Sequence, residues 1–240
     1  MIRAESPLQI FAIHREGVLP RADFHMHTNW TDGETGVFQM HEAAIQQKME
    51  AVLFSEHARA TSGDWFPKFA TEVRALSRET CRAYVGAEVK ILNTEGALDI
   101  CDEVRRECDL VMASVHRFPG EVSIYQGKEA GYSEELAISI EFELARGAVR
   151  KGGFDILGHP FGMTYNRFKF SPPDHLIREL MKECATAGIA FEVNARYHPN
   201  PRKFLAWCRD AGAPVSLGSN AHSTTEIGSL QRLITENVTS

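Results

Sequence analysis

The chain has 240 residues, 43% of them apolar, and a formal charge of −6. That length and apolar content suit one large domain over residues 1–240, with 1–20 as an N-terminal extension. The acidic balance argues against long nucleic-acid partners, which need a basic surface, and no apolar run is long enough to span a bilayer. Five cysteines without a CxxC pair, behind a charged N-terminus that does not resemble a secretory signal, point to a reducing compartment, the cytoplasm. Ten histidines are the one compositional anomaly.

In the extension, Leu8, Ile10, Phe11 and Ile13 are expected to pack against the domain, and His14 carries no chemistry. From Arg21 a β-then-α rhythm begins. A strand near 22–25 leads into a turn-rich loop over 28–36, and a helical pattern follows over 37–49. Ala51-Val52-Leu53-Phe54 is a strand ending in Ser55-Glu56-His57. A helix is expected over 67–80, then a strand over 83–87 that ends at Glu88. Helical spacing returns over 97–107, and Leu110 to Ala113 form a strand ending in Ser114-Val115-His116. A long loop precedes a helix over 134–151, and the strand from Phe154 to Leu157 runs into Gly158-His159-Pro160. A helix over 173–187 is followed by the strand Ile189 to Val193, ending at Asn194. The helix over 201–211 leads to the strand Pro214 to Leu217, which ends at Ser219-Asn220-Ala221-His222.

Seven apolar runs separated by helical segments predict a parallel sheet with helical crossovers. Nearly every run ends, on its C-terminal side, in His, Glu or Asn. In barrels of parallel strands those ends converge on one mouth, where chemistry is done. His25, His27, His57, Glu88, His116, His159, Asn194 and His222 are therefore expected to face one cavity. His25 and His27 are two residues apart, so on a strand they share a face and can grip one metal ion. His41, His175 and His198 fall away from strand ends; we assign His41 and His175 to packing or solvent, and leave His198, closer to the mouth, out of the site.

Asp23-x-His25-x-His27, Thr31-Asp32-Gly33, Ser55-Glu56-His57, Gly86-x-Glu88, Ser114-x-His116, Gly158-His159-Pro160 and Ser219-Asn220-Ala221-His222 resemble the ordered motifs of the PHP (polymerase and histidinol phosphatase) superfamily. The resemblance runs from about residue 21 to 228. It implies an α/β fold, a distorted (β/α)7 TIM-like barrel with the active site at the C-terminal ends of its strands. It also implies two or three divalent metal ions. Position by position, His25, His27, Glu88 and Asn220 would hold the first. Glu88 would bridge to a second, held also by His116 and His159. Asp32, His57 and His222 would hold the third. Mixed imidazole and carboxylate ligands suit Zn, Mn or Fe.

The activity implied is that of a metal-dependent phosphoesterase, a hydrolase that cleaves a small phosphomonoester by attack of a hydroxide bridging two metals. Glu88, Asn220 and His222 are read as catalytic. The leaving oxygen would be handled by the third metal, by His222 or His57 if unligated, or by water. An alternative is a phosphodiesterase or nuclease acting on nucleotides or short oligonucleotides. Two departures from the family pattern matter. Glu56 stands where the family usually has Asp before the histidine, and is expected to orient a ligand. Asn220 stands where the family has a ligating Asp. An amide oxygen can coordinate, but it brings no charge. Three readings follow: an enzyme with a weakened first metal, a non-catalytic metal-dependent binding module, or an Asp-to-Asn change introduced to trap a complex.

A phosphate also needs fixed cations. Arg196, in the loop after the sixth strand, is the first candidate for substrate binding, with Arg117 and Arg59 as rivals and Asn194 nearby. Arg167 and Lys169 are further candidates. The loop aromatics Trp65, Phe66, Phe118, Tyr125, Tyr132, Phe161, Tyr165, Phe168 and Phe170 either stack on a planar substrate group or pack the loops down. The small phosphorylated substrate, the metal and the oligomeric state are not named by the sequence.

Overall fold

The computed structural model describes residues 19–121 and 131–236. Leu8, Ile10, Phe11, Ile13, His14 and Tyr125 lie outside them. Seven strands, β1 (Ala22–Met26), β2 (Ala51–Ala58), β3 (Arg82–Lys90), β4 (Leu110–Ser114), β5 (Ile156–Gly158), β6 (Ala190–Asn194) and β7 (Val215–Gly218), pair in parallel in sequence order. Between them run helices α1 (Val37–Gln46), α2 (Phe66–Arg74), α3 (Asp102–Glu107), α4 (Glu134–Lys151), α5 (Asp174–Ala187) and α6 (Pro201–Ala211), with α7 (Ser229–Glu236) after β7. This is the expected TIM-like barrel of seven strands.

Local chemistry explains the helix limits. The Ser133 hydroxyl accepts from Leu136 N at the start of α4, whose first turn is acidic and last turn basic. Asn200 caps α6 ahead of Pro201. Left-handed Gly188 and Gly212 end α5 and α6. Three expected helices are shorter in the structure. α1 stops at Gln46 because Lys48 turns left-handed and Met49 N bonds back to Ala44 O. α2 stops at Arg74 because the polar residues 77–80 offer no apolar face to bury. Residues 97–99 are not helical: Leu98 bridges Ile91 and Asp99 N donates to Lys90 O, so the chain turns back against the end of β3 before α3 begins. Two elements had no anticipated counterpart, α7 and a π-helical turn at Met163–Phe168.

Period-two alternation sorts each strand into two faces. The bases of β1 to β6 direct Phe24, Leu53, Tyr84, Met112, Ile156 and Ala190 into a small apolar cluster inside the barrel. The larger core lies between the strands and the helices and includes Phe54, Val85, Phe69, Leu180, Phe191 and Phe204. The cysteines are free thiols, with Cys81, Cys184 and Cys208 buried. Among the described residues no helix is long and apolar enough to cross a membrane.

The barrel closes between β1 and β7 by a short seam. Ala221 N donates to His25 O, and His27 N to Ala221 O. Below that seam the Asp23 carboxylate takes the place of strand pairing: Oδ1 accepts Ser219 N at 2.9 Å and Oδ2 accepts Gly228 N at 2.8 Å. Asp23 is 1% exposed, and burial raises its carboxyl above the ordinary value. We expect Asp23→Ala to strand two buried N–H groups and to destabilise the fold by about 3 kcal/mol. A urea midpoint unchanged from wild type would refute this role.

Candidate metal centre

Above the apolar layer the same strand faces turn polar. On β2 the face that carries Leu53 next presents Ser55, then His57; on β3 Tyr84 is followed by Gly86 and Glu88. A register irregularity between Asp23 and Met26 re-aims β1, so that His25 and His27 both enter the cavity. β5 delivers His159 with a positive φ of 27°, and the turn after β7 delivers Asn220 with φ 56°. Positive φ at a non-glycine residue is uncommon and clusters at functional sites, although Asn tolerates it. Gly218 makes room: a side chain there would collide with Glu192 and His25.

Glu88 lies at the centre and is 2% exposed. His116 Nε2 and His159 Nε2 each lie 2.9 Å from its Oε1. Its Oε2 is 3.0 Å from His57 Nδ1, 3.4 Å from His25 Nε2 and 3.5 Å from His27 Nε2, yet it has no hydrogen-bond partner. His25 Nε2 and His27 Nε2 face each other at 3.1 Å, and Asn220 Oδ1 is 3.3 Å from His27 Nε2. Beside this group, Asp32 Oδ2 lies 3.4 Å from His57 Nε2 and 3.5 Å from His222 Nε2.

Three sets of donor atoms are close enough to share an ion: His25, His27 and Glu88; His57, Glu88 and His116; and His27, His57 and His222. The structure thus brings together all nine residues expected to bind metal: His25, His27, Asp32, His57, Glu88, His116, His159, Asn220 and His222. The donor set fits divalent cations of the Zn, Mn or Fe class. The orphaned Glu88 Oε2 and the unpartnered, buried His27 Nδ1 are the observations that call for them.

Burial alone would raise the Glu88 carboxyl, but His116, His25 and His57 drive it well below its ordinary value. Burial opposes charge on His57, and Glu88 and Asp32 outweigh it, lifting the imidazole to about 10. His27 goes the other way, held well below its ordinary value by burial and by His57 and His25. One buried carboxylate thus faces more imidazoles than it can neutralise if all were protonated.

Behind the ligands stands a set of fixing contacts. Glu192, fully buried, accepts from His25 Nδ1 at 2.8 Å, from Asn194 Nδ2 at 2.7 Å and from the backbone N of His159. It thereby leaves His25 Nε2 free to face the cavity. His222 Nδ1 donates to Asn220 O at 2.9 Å, which turns Nε2 toward Asp32. Glu56 accepts from Thr28 N, Thr28 Oγ1 and Thr31 Oγ1, so it fixes the loop bearing Asp32 rather than touching a histidine. Burial raises its carboxyl to about 7. Glu141 of α4 accepts from Met163 N at 3.0 Å and from Thr164 N at 2.7 Å, capping the π-helical turn at the cavity lip.

A cavity of about 700 Å³ opens over Glu88. Arg59, Arg117 and Arg196 all line it, as do Arg167 and Lys90. Arg167 is paired with Glu121 at 3.0 Å, and Lys169 lines a neighbouring depression and contacts Asn166 Oδ1. Asn194, expected to bind substrate, is fully buried and is not among the cavity-lining residues; its amide is held by Glu192 and by Arg196 N. The described loop aromatics pack the loops: Trp65 stacks on Trp30, Phe118 on Phe168, and Phe161 on Phe142. His41 and His198 are buried structural histidines, bonded to Cys81 O and Pro160 O. Glu192, Glu141, Lys90 and Tyr197, which stacks on His159 with ring centroids 4.4 Å apart, were not anticipated from the sequence.

The PHP domain family model matches residues 23–196. A DNA polymerase/3'-5' exonuclease PolX of Bacillus subtilis is 25% identical over 229 residues, covering 90% of this chain but only 36% of that protein. A protein of Photobacterium profundum described as a probable phosphatase is 26% identical over 221 residues, covering 87% of this chain and 81% of that one. The fold is similar to histidinol phosphate phosphatase of Lactococcus lactis, solved with zinc, L-histidinol and phosphate. The TM-score is 0.66 at 18% identity, over 90% of this chain and 92% of that one.

Two outcomes are expected from the fixing contacts. Glu192→Ala should weaken metal affinity by about 10–100-fold, measured by competition with a chromogenic chelator; an unchanged affinity would remove Glu192 from the support of the site. Burial raises the Glu141 carboxyl to about 7 in the folded chain, from an ordinary 4.5. An acid raised on folding favours the folded state at low pH, and that contribution is lost as pH rises through the folded value. Urea unfolding of wild type and Glu141→Gln from pH 5 to pH 8 should therefore shift in favour of the Gln variant as pH rises, and a parallel pair of curves would contradict it.

Proposed function

Because this chain belongs to the PHP domain family, we propose that it is a metal-dependent phosphoesterase that hydrolyses a small phosphomonoester. The observation that carries this reading is Glu88: a buried carboxylate with one unpartnered oxygen, ringed by imidazole nitrogens at the floor of a cation-lined cavity. His25, His27, Glu88 and Asn220 would hold one cation. Glu88, His116 and His159 would hold a second, with His57 Nδ1 also within reach of Glu88. Asp32, His57 and His222 would hold a third. Bound there, divalent cations supply the charge that neutralises phosphate oxygens and the acidity that makes water a nucleophile near neutral pH.

The chain's own residues do the rest. Glu88 sets the spacing, because both its oxygens are committed to the ligand layer. Glu192 and the Asn220 carbonyl fix which nitrogen His25 and His222 present. Arg196, whose guanidinium reaches toward the His222 ring, is placed to hold a phosphoryl oxygen. Tyr197 covers His159 and keeps bulk water from that side. The five cysteines, all free thiols, support a place in a reducing compartment, the cytoplasm. A second reading, cleavage of a phosphodiester, has support from the likeness to the Bacillus protein whose name includes a 3'-5' exonuclease.

The test is metal content and phosphate release, measured together for the wild type and Asn220→Asp. We expect two or three Zn, Mn or Fe per chain. The monoester p-nitrophenyl phosphate should be cleaved at least about tenfold faster, as kcat/KM, than its bis-ester. Restoring a charge at position 220 should tighten the most weakly held ion by roughly tenfold or more. A filled site that releases no phosphate from any ester, even with Asp at 220, would leave a metal-dependent binding module instead. Faster cleavage of the diester would establish the second reading.

A further inference from the structure

The strand registers place a second layer of charge directly over the ligand layer. His57 pairs with Glu88 and Ala58 with Val89, where β2 ends; Arg59 follows directly, and Lys90 closes β3 on the face that carries Glu88. Lys90 pairs in turn with Ser114, from which His116 is the next residue on that face and Arg117 its neighbour. Two residues of a strand rise about 6.6 Å. Arg59 and Lys90 thus occupy the cavity wall one step nearer solvent than His57 and Glu88, and both line the cavity.

We propose that Lys90 and Arg59 form a subsite for a second anionic group of the substrate, so that the enzyme acts on phosphomonoesters carrying a further phosphate or carboxylate about 6–7 Å from the reacting phosphorus. This rests on the phosphoesterase reading. Among the described residues neither the Lys90 ammonium nor the Arg59 guanidinium has a carboxylate within ion-pair distance. Lys90 is repelled by Arg117 and Arg59 and attracted by Asp99 and Glu121 across the same wall. Asp99 lies in the same wall, but its Oδ1 accepts Ala60 N at 2.9 Å. The other nearby carboxylate, Glu121, is taken by Arg167 at 3.0 and 3.2 Å. Asp99 and Glu121 offset this positive charge only from beyond ion-pair distance, so an anion bound between Lys90 and Arg59 would be favoured. A phosphoryl group on the cavity floor does not account for them. It would be met by cations held in the Glu88 layer and by Arg196, which reaches the His222 ring.

The test is isothermal titration of the metal-loaded full chain with three non-hydrolysable ligands: propylphosphonate, 3-phosphonopropanoate and propane-1,3-bisphosphonate. The bisphosphonate should bind at least about tenfold more tightly than propylphosphonate. That ratio should collapse to within about threefold in Lys90→Gln, and should fall in Arg59→Gln at its exposed position. Lys182→Gln, on the outer face of α5, should keep the wild-type ratio and so exclude a general effect of net charge. Equal gains for the carboxylate and the bisphosphonate would mean that any anion fills the subsite; a gain for the bisphosphonate alone would assign it to phosphate. A wild-type ratio near one, or Lys90→Gln indistinguishable from Lys182→Gln, would overturn the subsite while leaving phosphoester hydrolysis intact. Failure of all three ligands to bind, with no phosphate released from simple esters, would instead count against the phosphoesterase reading itself.

Discussion

A carboxylate that is 2% exposed, with no lysine or arginine among the described residues paired to it, sets the terms for this barrel. Removing an ionised Glu88 from water costs several kcal/mol unless opposite charge surrounds it. Five imidazoles from four strands and their loops approach its two oxygens, which is possible only where parallel strand ends converge. Imidazoles alone are a poor answer, since neutral rings bring no charge and protonated rings repel one another. Divalent cations shared among the same nitrogens remove that conflict. The seven-stranded closure, the bulge in β1 and the left-handed backbone at His159 and Asn220 follow from bringing these donors to one point.

Four other buried carboxylates meet no lysine or arginine among the described residues. Asp23 binds the backbone of the turn after β7, and Glu56 the loop after β1. Glu141 binds the turn after β5, and Glu192 binds His25 and the backbone of His159. Each therefore fixes a segment that carries or borders a proposed ligand. The reason is physical. Beyond the strand ends no ladder of backbone pairing holds the chain, and its N–H groups must be satisfied by something. A carboxylate accepts several at once and holds a loop more firmly than neutral contacts would. The barrel supplies the approximate positions of the ligands, and these acids convert them into fixed ones.

The strands and the ligand layer were legible in the sequence because both follow short-range rules. Apolar runs of four or five residues gave the strands, and a polar residue at the end of most of them gave the proposed ligands. Helices α4 and α6 were readable to the residue because cap and turn residues mark their ends. The supporting layer was less visible. Glu192 sits inside the apolar run Phe191-Glu192-Val193, where a charge in a buried strand with the parity of Asn194 was the available signal. Lys90 was hidden by an expected strand that stopped at Glu88; carrying β3 two residues further places it over the site. Glu141 gave no signal, since an acid on a helix is usually solvated and its partners lie more than twenty residues away. The π-helical turn depends on that contact and was invisible for the same reason.

Asn220 is the point at which backbone and charge arguments separate. Its φ of 56° suits Asn as well as Asp, so the turn itself does not decide between them. Electrostatics does distinguish them. In the proposed assignment the third cation has Asp32 to itself, and the second shares Glu88 at Oε1 with His116 and His159. The first has only the other oxygen of Glu88, two neutral imidazoles and an amide. Glu192 compensates in part, because its carboxylate behind His25 makes that imidazole a more basic ligand. The first and second positions would thus divide one carboxylate between them, and Asn220 adds no charge to the first. An ion at the first position would depend on the supporting acid behind His25.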